Sequence, residues 1–254
     1  MENQTTITYK YIFYFSSKDI REFIVCLDSD TLYYIPSEIQ PRPYWVEDNS
    51  RPCEDCTIVP NGSVPCPIER NIAGVVEAFK DMPSYRKVDV YVEAGIRTYV
   101  GRGISLQTAV SSLLGLIMAT SGCDAFDWLR PMARVHLPFT SIDETVFRSV
   151  STYLLAQYFR MENGLQPDWQ LTELQEIYRR IAEINRHICD RIRMFGAEDA
   201  SVNAVIALDS FAQIIPIAIE EGLTKLMPPF SKYISTQKLG RGSVESAYVI
   251  PDDC

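Results

Sequence analysis

Hydrophobic and polar positions alternate along the first third of the chain. Ile7, Tyr9, Tyr11 and Phe13 form one row and Thr8, Lys10, Ile12 and Tyr14 the other. Both rows are rich in β-branched and aromatic residues, which predicts a strand. Residues 16–19 read as a turn, and 21–28 as a second strand with Phe23, Val25 and Leu27 on one face. A turn at 28–30 leads to a short third strand at 32–35, so an antiparallel meander is expected. Residues 88–92 and 97–100 form a hairpin around Gly95.

Elsewhere the period changes to that of a helix. Ile68, Ile72, Val75, Val76 and Phe79 predict a helix over 67–80. Ser105 is a suitable N-cap for an apolar helix reaching Ala119. Ser141 and Glu144 have capping-box spacing at the head of a helix to about Met161, which Asn163-Gly164 breaks. Residues 172–194 carry a stripe of Leu174, Ile177, Ile181, Ile184, Ile188 and Ile192. Residues 200–226 are the most apolar helix, kinked at Pro216 and central, with Ile206, Phe211 and Ile215 buried. Asp209 on it needs a partner, for which Arg130 and Arg134 are the candidates. A short helix follows at 230–234.

The expected fold class is therefore α+β: an N-terminal antiparallel meander and hairpin with two helices, then a helical bundle. The composition shifts near residue 125. Residues 1–125 form a β-rich part with the cysteine cluster and 126–236 a helical part packed with it as one unit. Residues 237–254 are a Gly/Ser-rich tail. The apolar stretches 106–119 and 204–219 are interrupted by polar residues and read as core helices, not membrane spans.

Residues 36–66 fit neither period. They hold Pro36, Pro41, Pro43, Pro52, Pro60 and Pro65, and a loop of that length needs a staple. The same stretch contains Cys53-Glu54-Asp55-Cys56, with Cys66-Pro67 after nine more residues. A Cys-x2-Cys pair places two sulfurs on one turn, which is half of a tetrahedral metal site. Cys53, Cys56 and Cys66 are thus candidate ligands, and Pro67 suits the first turn of a helix. Cys123, in a loop past a helix end, is the first choice for the fourth ligand and His136 the second. Zinc is favoured over an iron–sulfur cluster, although Cys-Pro also follows ferredoxin-type ligands. At a helix N-terminus Cys66 would have a lowered pKa, which also suits a redox thiol.

Composition narrows the setting. Of 254 residues 46% are apolar and 22% charged, a globular balance, and the net charge of −9 argues against a nucleic-acid coat. Met1-Glu2-Asn3-Gln4 lacks the basic start of a signal peptide. A reducing cytoplasm is expected, where clustered thiols hold metal more often than disulfides. Arg130, Arg134 and His136 form a second cluster, either an anion pocket or two paired arginines and a satisfied core histidine. Catalytic signatures are weak. His187 faces Glu183 on a helix, a Cys123–His136 dyad has no local pattern, and the paired carboxylates suit helix surfaces.

The chain resembles a family of uncharacterised bacterial proteins. The resemblance covers the meander over 7–35, the Cys-x2-Cys…Cys-Pro cluster and Asn71-Ile72-Ala73. It continues through residues 111–116, Ser121-Gly122-Cys123, the Arg130-Pro131-Met132-Ala133-Arg134-Val135-His136-Leu137-Pro138-Phe139 run and residues 153–159. Where the family pattern has Cys-Pro-Leu this chain has Cys56-Thr57-Ile58, which leaves the thiols intact. The resemblance implies a shared cysteine set including Cys123 and a bacterial cytoplasmic setting, and brings no activity. Three readings follow: a non-catalytic protein with a structural zinc that binds a protein or small ligand, an iron–sulfur or thiol redox protein, and an enzyme around Arg130, Arg134 and His136.

Overall fold

The computed structural model describes residues 5–36, 44–47, 52–54, 56–58, 64–194 and 199–235. Its sheet comprises β1 (Thr6–Ser16), β2 (Asp19–Asp28), β3 (Tyr34–Ile35), β4 (Lys87–Ala94) and β5 (Arg97–Ser105), in the order β3-β2-β1-β4-β5 and antiparallel throughout. The hairpin thus adds its first strand beside β1. Register places Phe13 opposite Arg21 on one side and Val90 on the other, and Tyr11 opposite Phe23 and Val92. This puts Tyr9, Tyr11, Phe13, Val25, Leu27, Val88, Val90 and Val92 on one buried face. The other face holds the Lys10–Glu22 pair and the exposed Ile20 and Ile24.

The helices are α1 (Tyr44–Glu47), α2 (Pro67–Phe79), α3 (Leu106–Thr120), α4 (Asp124–Asp127), α5 (Ile142–Glu162), α6 (Thr172–Met194), α7 (Asp199–Glu220) and α8 (Ser231–Ile234). A 3-10 turn over Arg130–Val135 was not foreseen from periodicity. Ser105 caps α3 by accepting from Thr108 N, and Ser141 and Glu144 form the full capping box on α5. One continuous core runs from the sheet through α2 and α3 to α6 and α7. At its centre α3 approaches α7 closely: a Cβ on Gly115 would lie 3.1 Å from Leu208 Cδ2.

Four expectations are corrected. Helix α7 ends at Glu220, not near 226, because Gly222 adopts φ +70° and Leu223 N bonds back to Ala218 O at 2.9 Å, closing a Schellman turn. Ile206 is 39% exposed and Phe211 half-buried, while Ile215 is fully buried. Apart from these four, α7 is long and apolar enough to cross a bilayer by length and composition alone, a test that core helices also pass, and 33% of that stretch is buried. Asp209 meets neither arginine; it accepts from Gln213 one turn on. The Pro-rich segment is not featureless either, since α1 buries Trp45 and Val46 in the core. The tail over 237–254 lies outside the described residues.

Candidate functional site

Two pockets collect the chain's chemistry. The first, of about 260 Å³, is lined by Cys53, Cys56, Cys66 and Cys123 together with Asp124 and Arg180. Local backbone explains the placement. Cys56 N donates to Cys53 O at 3.3 Å, turning the knuckle back on itself. Cys66 is the N-cap residue of α2 and Cys123 that of α4, so two helix starts aim their first side chains at one space. The knuckle is tied down on both sides: Arg180 of α6 donates to Glu54 O, and Thr57 Oγ1 donates to Asp124. None of the six described cysteines is in a disulfide. Cys26 on β2 and Cys189 on α6 lie elsewhere, and Cys254 is outside the described residues.

Burial sets the protonation of these thiols. It pushes Cys53 up to about 12, and the charges of Cys56, Cys123 and Glu69 add to it while Arg180 opposes. Cys66 also rises to about 12, against the lowered value expected of a helix N-terminus. Burial leads there, and the Glu69 carboxylate adds to it. Together they prevail over the lowering pull of the backbone N–H groups of Glu69 and Ile68. Cys123 is raised by burial as well. At neutral pH Cys53 and Cys66 are protonated thiols. Among the described residues no group of three or more His, Cys, Asp or Glu stands in a geometry that would hold an ion.

The sheet positions the second cluster. Tyr9 and Tyr11, on the inner row of β1, reach the segment after the 3-10 turn: Tyr9 donates to Ala133 O at 2.8 Å and Tyr11 meets His136 Nε2 at 2.5 Å. Tyr11 also shares a hydrogen bond with Ser112 of α3 at 2.9 Å. His136 is thus a core histidine, and it does not line the thiol pocket. Arg130 pairs with Asp127 at 3.0 Å and stacks on the Tyr33 ring, while Arg134 donates to Ser29 O at 2.5 Å. Of Arg130, Arg134 and His136, only His136 reaches the second pocket.

That pocket, of about 200 Å³, lies between α3, α5, α6, α7 and the 137–140 loop. Beside His136, Ser111, Ser112 and Thr145 it is lined by Arg148, Tyr178 and Asn185, and none of these last three was singled out from sequence. A signal existed. Beside Val146 and Val150, the buried face of α5 carries a row of Thr145, Ser149, Tyr153 and Gln157, one polar group per turn. Phe139 in the loop has φ +60°, a strained conformation for an aromatic residue.

Burial and the nearby Arg148 charge hold His136 down at about 3. The unfolded chain binds this proton near pH 6.5 and the folded one does not, so stability from this group is complete above 6.5 and is lost as pH falls toward 3. Between pH 6.5 and 4.5 the loss should be about 2–3 kcal/mol. In urea unfolding at both pH values, His136→Gln should lose less than the native chain by that amount. Equal losses in the two proteins would mean that His136 does not set the acid limb.

The model of the DUF6901 family, a domain of unknown function, matches residues 7–231. No curated protein and no solved structure matches the chain.

Proposed function

We propose, for a chain that belongs to the DUF6901 family, that Cys53, Cys56, Cys66 and Cys123 are the ligands of a structural metal, zinc first, in a non-catalytic binding protein. The observation that supports this is the gathering of four thiols from three chain segments around one pocket. A thiolate tetrad is the donor set that tetrahedral zinc takes, with Zn–S distances of about 2.3 Å. Ligation requires the thiols to turn inward from their present positions and to lose their protons, which the ion itself drives. Arg180 and Arg191 offset part of the negative charge around such a site, the first beside Cys53 and the second on Glu69. The high thiol pKa values argue against a free redox nucleophile, which works as thiolate.

Elemental analysis of protein purified without air tests the reading. About one zinc per chain and no colour is the expected result. Brown protein with iron and sulfide would instead give the tetrad to a cluster. Protein free of both metals, with all four thiols titrating, would end the metal reading. Cys56→Ser should release the ion and speed proteolysis between residues 36 and 65 before the helical half is touched. Unchanged protection after complete metal loss would show that Trp45 and Arg180 hold the segment without it.

A further inference from the structure

Arg148 is a cation in a largely apolar cavity, and the described residues give it no anion. Its Nε and Nη1 are buried without a hydrogen-bond partner, and no carboxylate lies within ion-pair distance of it among the described residues. The expected partner is Glu144, one turn earlier on α5. Glu144 is committed elsewhere, accepting from Ser141 N at 2.8 Å and Ser141 Oγ at 2.9 Å in the capping box. Two neutral groups line the same cavity. Tyr178 accepts from Ser149 Oγ at 2.7 Å and keeps its own proton to give, and Asn185 Oδ1 is buried without a donor. Unpaired buried polar atoms are rare in folded proteins, and three on one cavity mark a place where something else completes them.

We propose that this cavity binds a small monocarboxylate with an apolar body, its carboxylate on Arg148 and its body against Ile181, Leu208 and Phe211. The inference stands apart from the thiol pocket and on different residues. Charge selects the ligand class. One guanidinium with a neutral phenol beside it matches one negative charge. A phosphate would bring a second charge into a low-dielectric space, and the other arginines near this end of the molecule, Arg130 and Arg134, are engaged by Asp127 and Ser29. His136, on the cavity wall, is neutral at pH 7 and offers no second cation. Size agrees. An apolar cavity of roughly 150 Å³ accepts benzene, so about 200 Å³ takes a ring or short chain with its carboxylate. The Asn185 oxygen favours a ligand that also carries a hydroxyl or N–H.

Calorimetric titration of the full chain with 3-phenylpropanoate and octanoate tests this, with 3-phenylpropanamide and phenyl phosphate as matched controls. At least one carboxylate should bind with Kd below about 1 mM and tenfold or more ahead of both controls. Arg148→Met should weaken it at least tenfold while leaving the melting temperature of the ligand-free protein equal or higher, since it removes an unpaired buried charge. Ala207→Phe, which fills the cavity, should abolish binding. Four results would overturn the proposal: no heat from either carboxylate at millimolar concentration; equal binding of the amide or the phosphate; unchanged affinity in Arg148→Met; or a lower ligand-free melting temperature in that variant, which would make Arg148 a structural cation.

Discussion

Replacing Glu69 by alanine is expected to destabilise the protein by about 3–5 kcal/mol. Glu69 and Arg191 are each 3% exposed and meet in a fork, Nε to Oε1 at 2.9 Å and Nη2 to Oε2 at 3.2 Å. The same guanidinium donates to Trp45 O at 2.6 Å. One buried pair therefore fastens α2 to α6 and holds α1 against both. Deleting the carboxylate leaves a guanidinium in the core without its Glu69 counter-charge, which is the expensive half of any buried ion pair. Deleting both charges is a different matter. Glu69→Leu with Arg191→Met should recover much of the loss, because apolar replacement of a whole pair is often close to neutral. Urea unfolding of the single and double variants reads this directly as a coupling energy. A loss under about 1 kcal/mol for Glu69→Ala would mean that water reaches the arginine.

Phe79→Ala should cost a similar amount, about 3–5 kcal/mol. Phe79 closes α2 against the inner face of the sheet and is fully buried. Its ring lies 5.0 Å from that of Phe13, 5.4 Å from Phe23 and 6.3 Å from Phe15, and the Arg21 guanidinium sits 5.4 Å over it. Alanine removes the hub of this cluster and leaves a cavity that sheet and helix, tied at other points, collapse only in part. The urea midpoint should fall with the slope unchanged, since the folded state stays compact. Phe79→Leu should retain much of the stability. A loss under about 1 kcal/mol for the alanine variant would show that Phe13 and Phe23 repack across the gap.

Much of the α+β architecture was legible because its elements carry local signals. The two rows of β1, the Ser105 and Ser141 caps, the Gly164 stop and the stripe on α6 each act within a few residues. The errors sit where local and distant terms compete. The apolar helix before Glu220 reads as continuing to Leu226 until the left-handed Gly222 ends it. Ile206 looks like core on an apolar helix, yet α7 turns that position outward because its packed sides face α3 and α6.

Sequence alone determined how the thiols are spaced and where most strands and helices begin, since spacing, capping and period are properties of neighbouring residues. Only the tertiary structure decided what those groups experience. It gave the arginines of the 130–136 run the partners Asp127 and Ser29 O. It raised the Cys66 thiol by burying it beside Glu69, against the pull of its own helix. It made Arg148, an ordinary surface residue by its position in the chain, the one guanidinium in its cavity without a counter-charge among the described residues, because three distant helices close over it while its local carboxylate caps α5. Burial and the geometry of partners from far along the chain are set by the packed whole, and those two quantities fix charge, pKa and affinity.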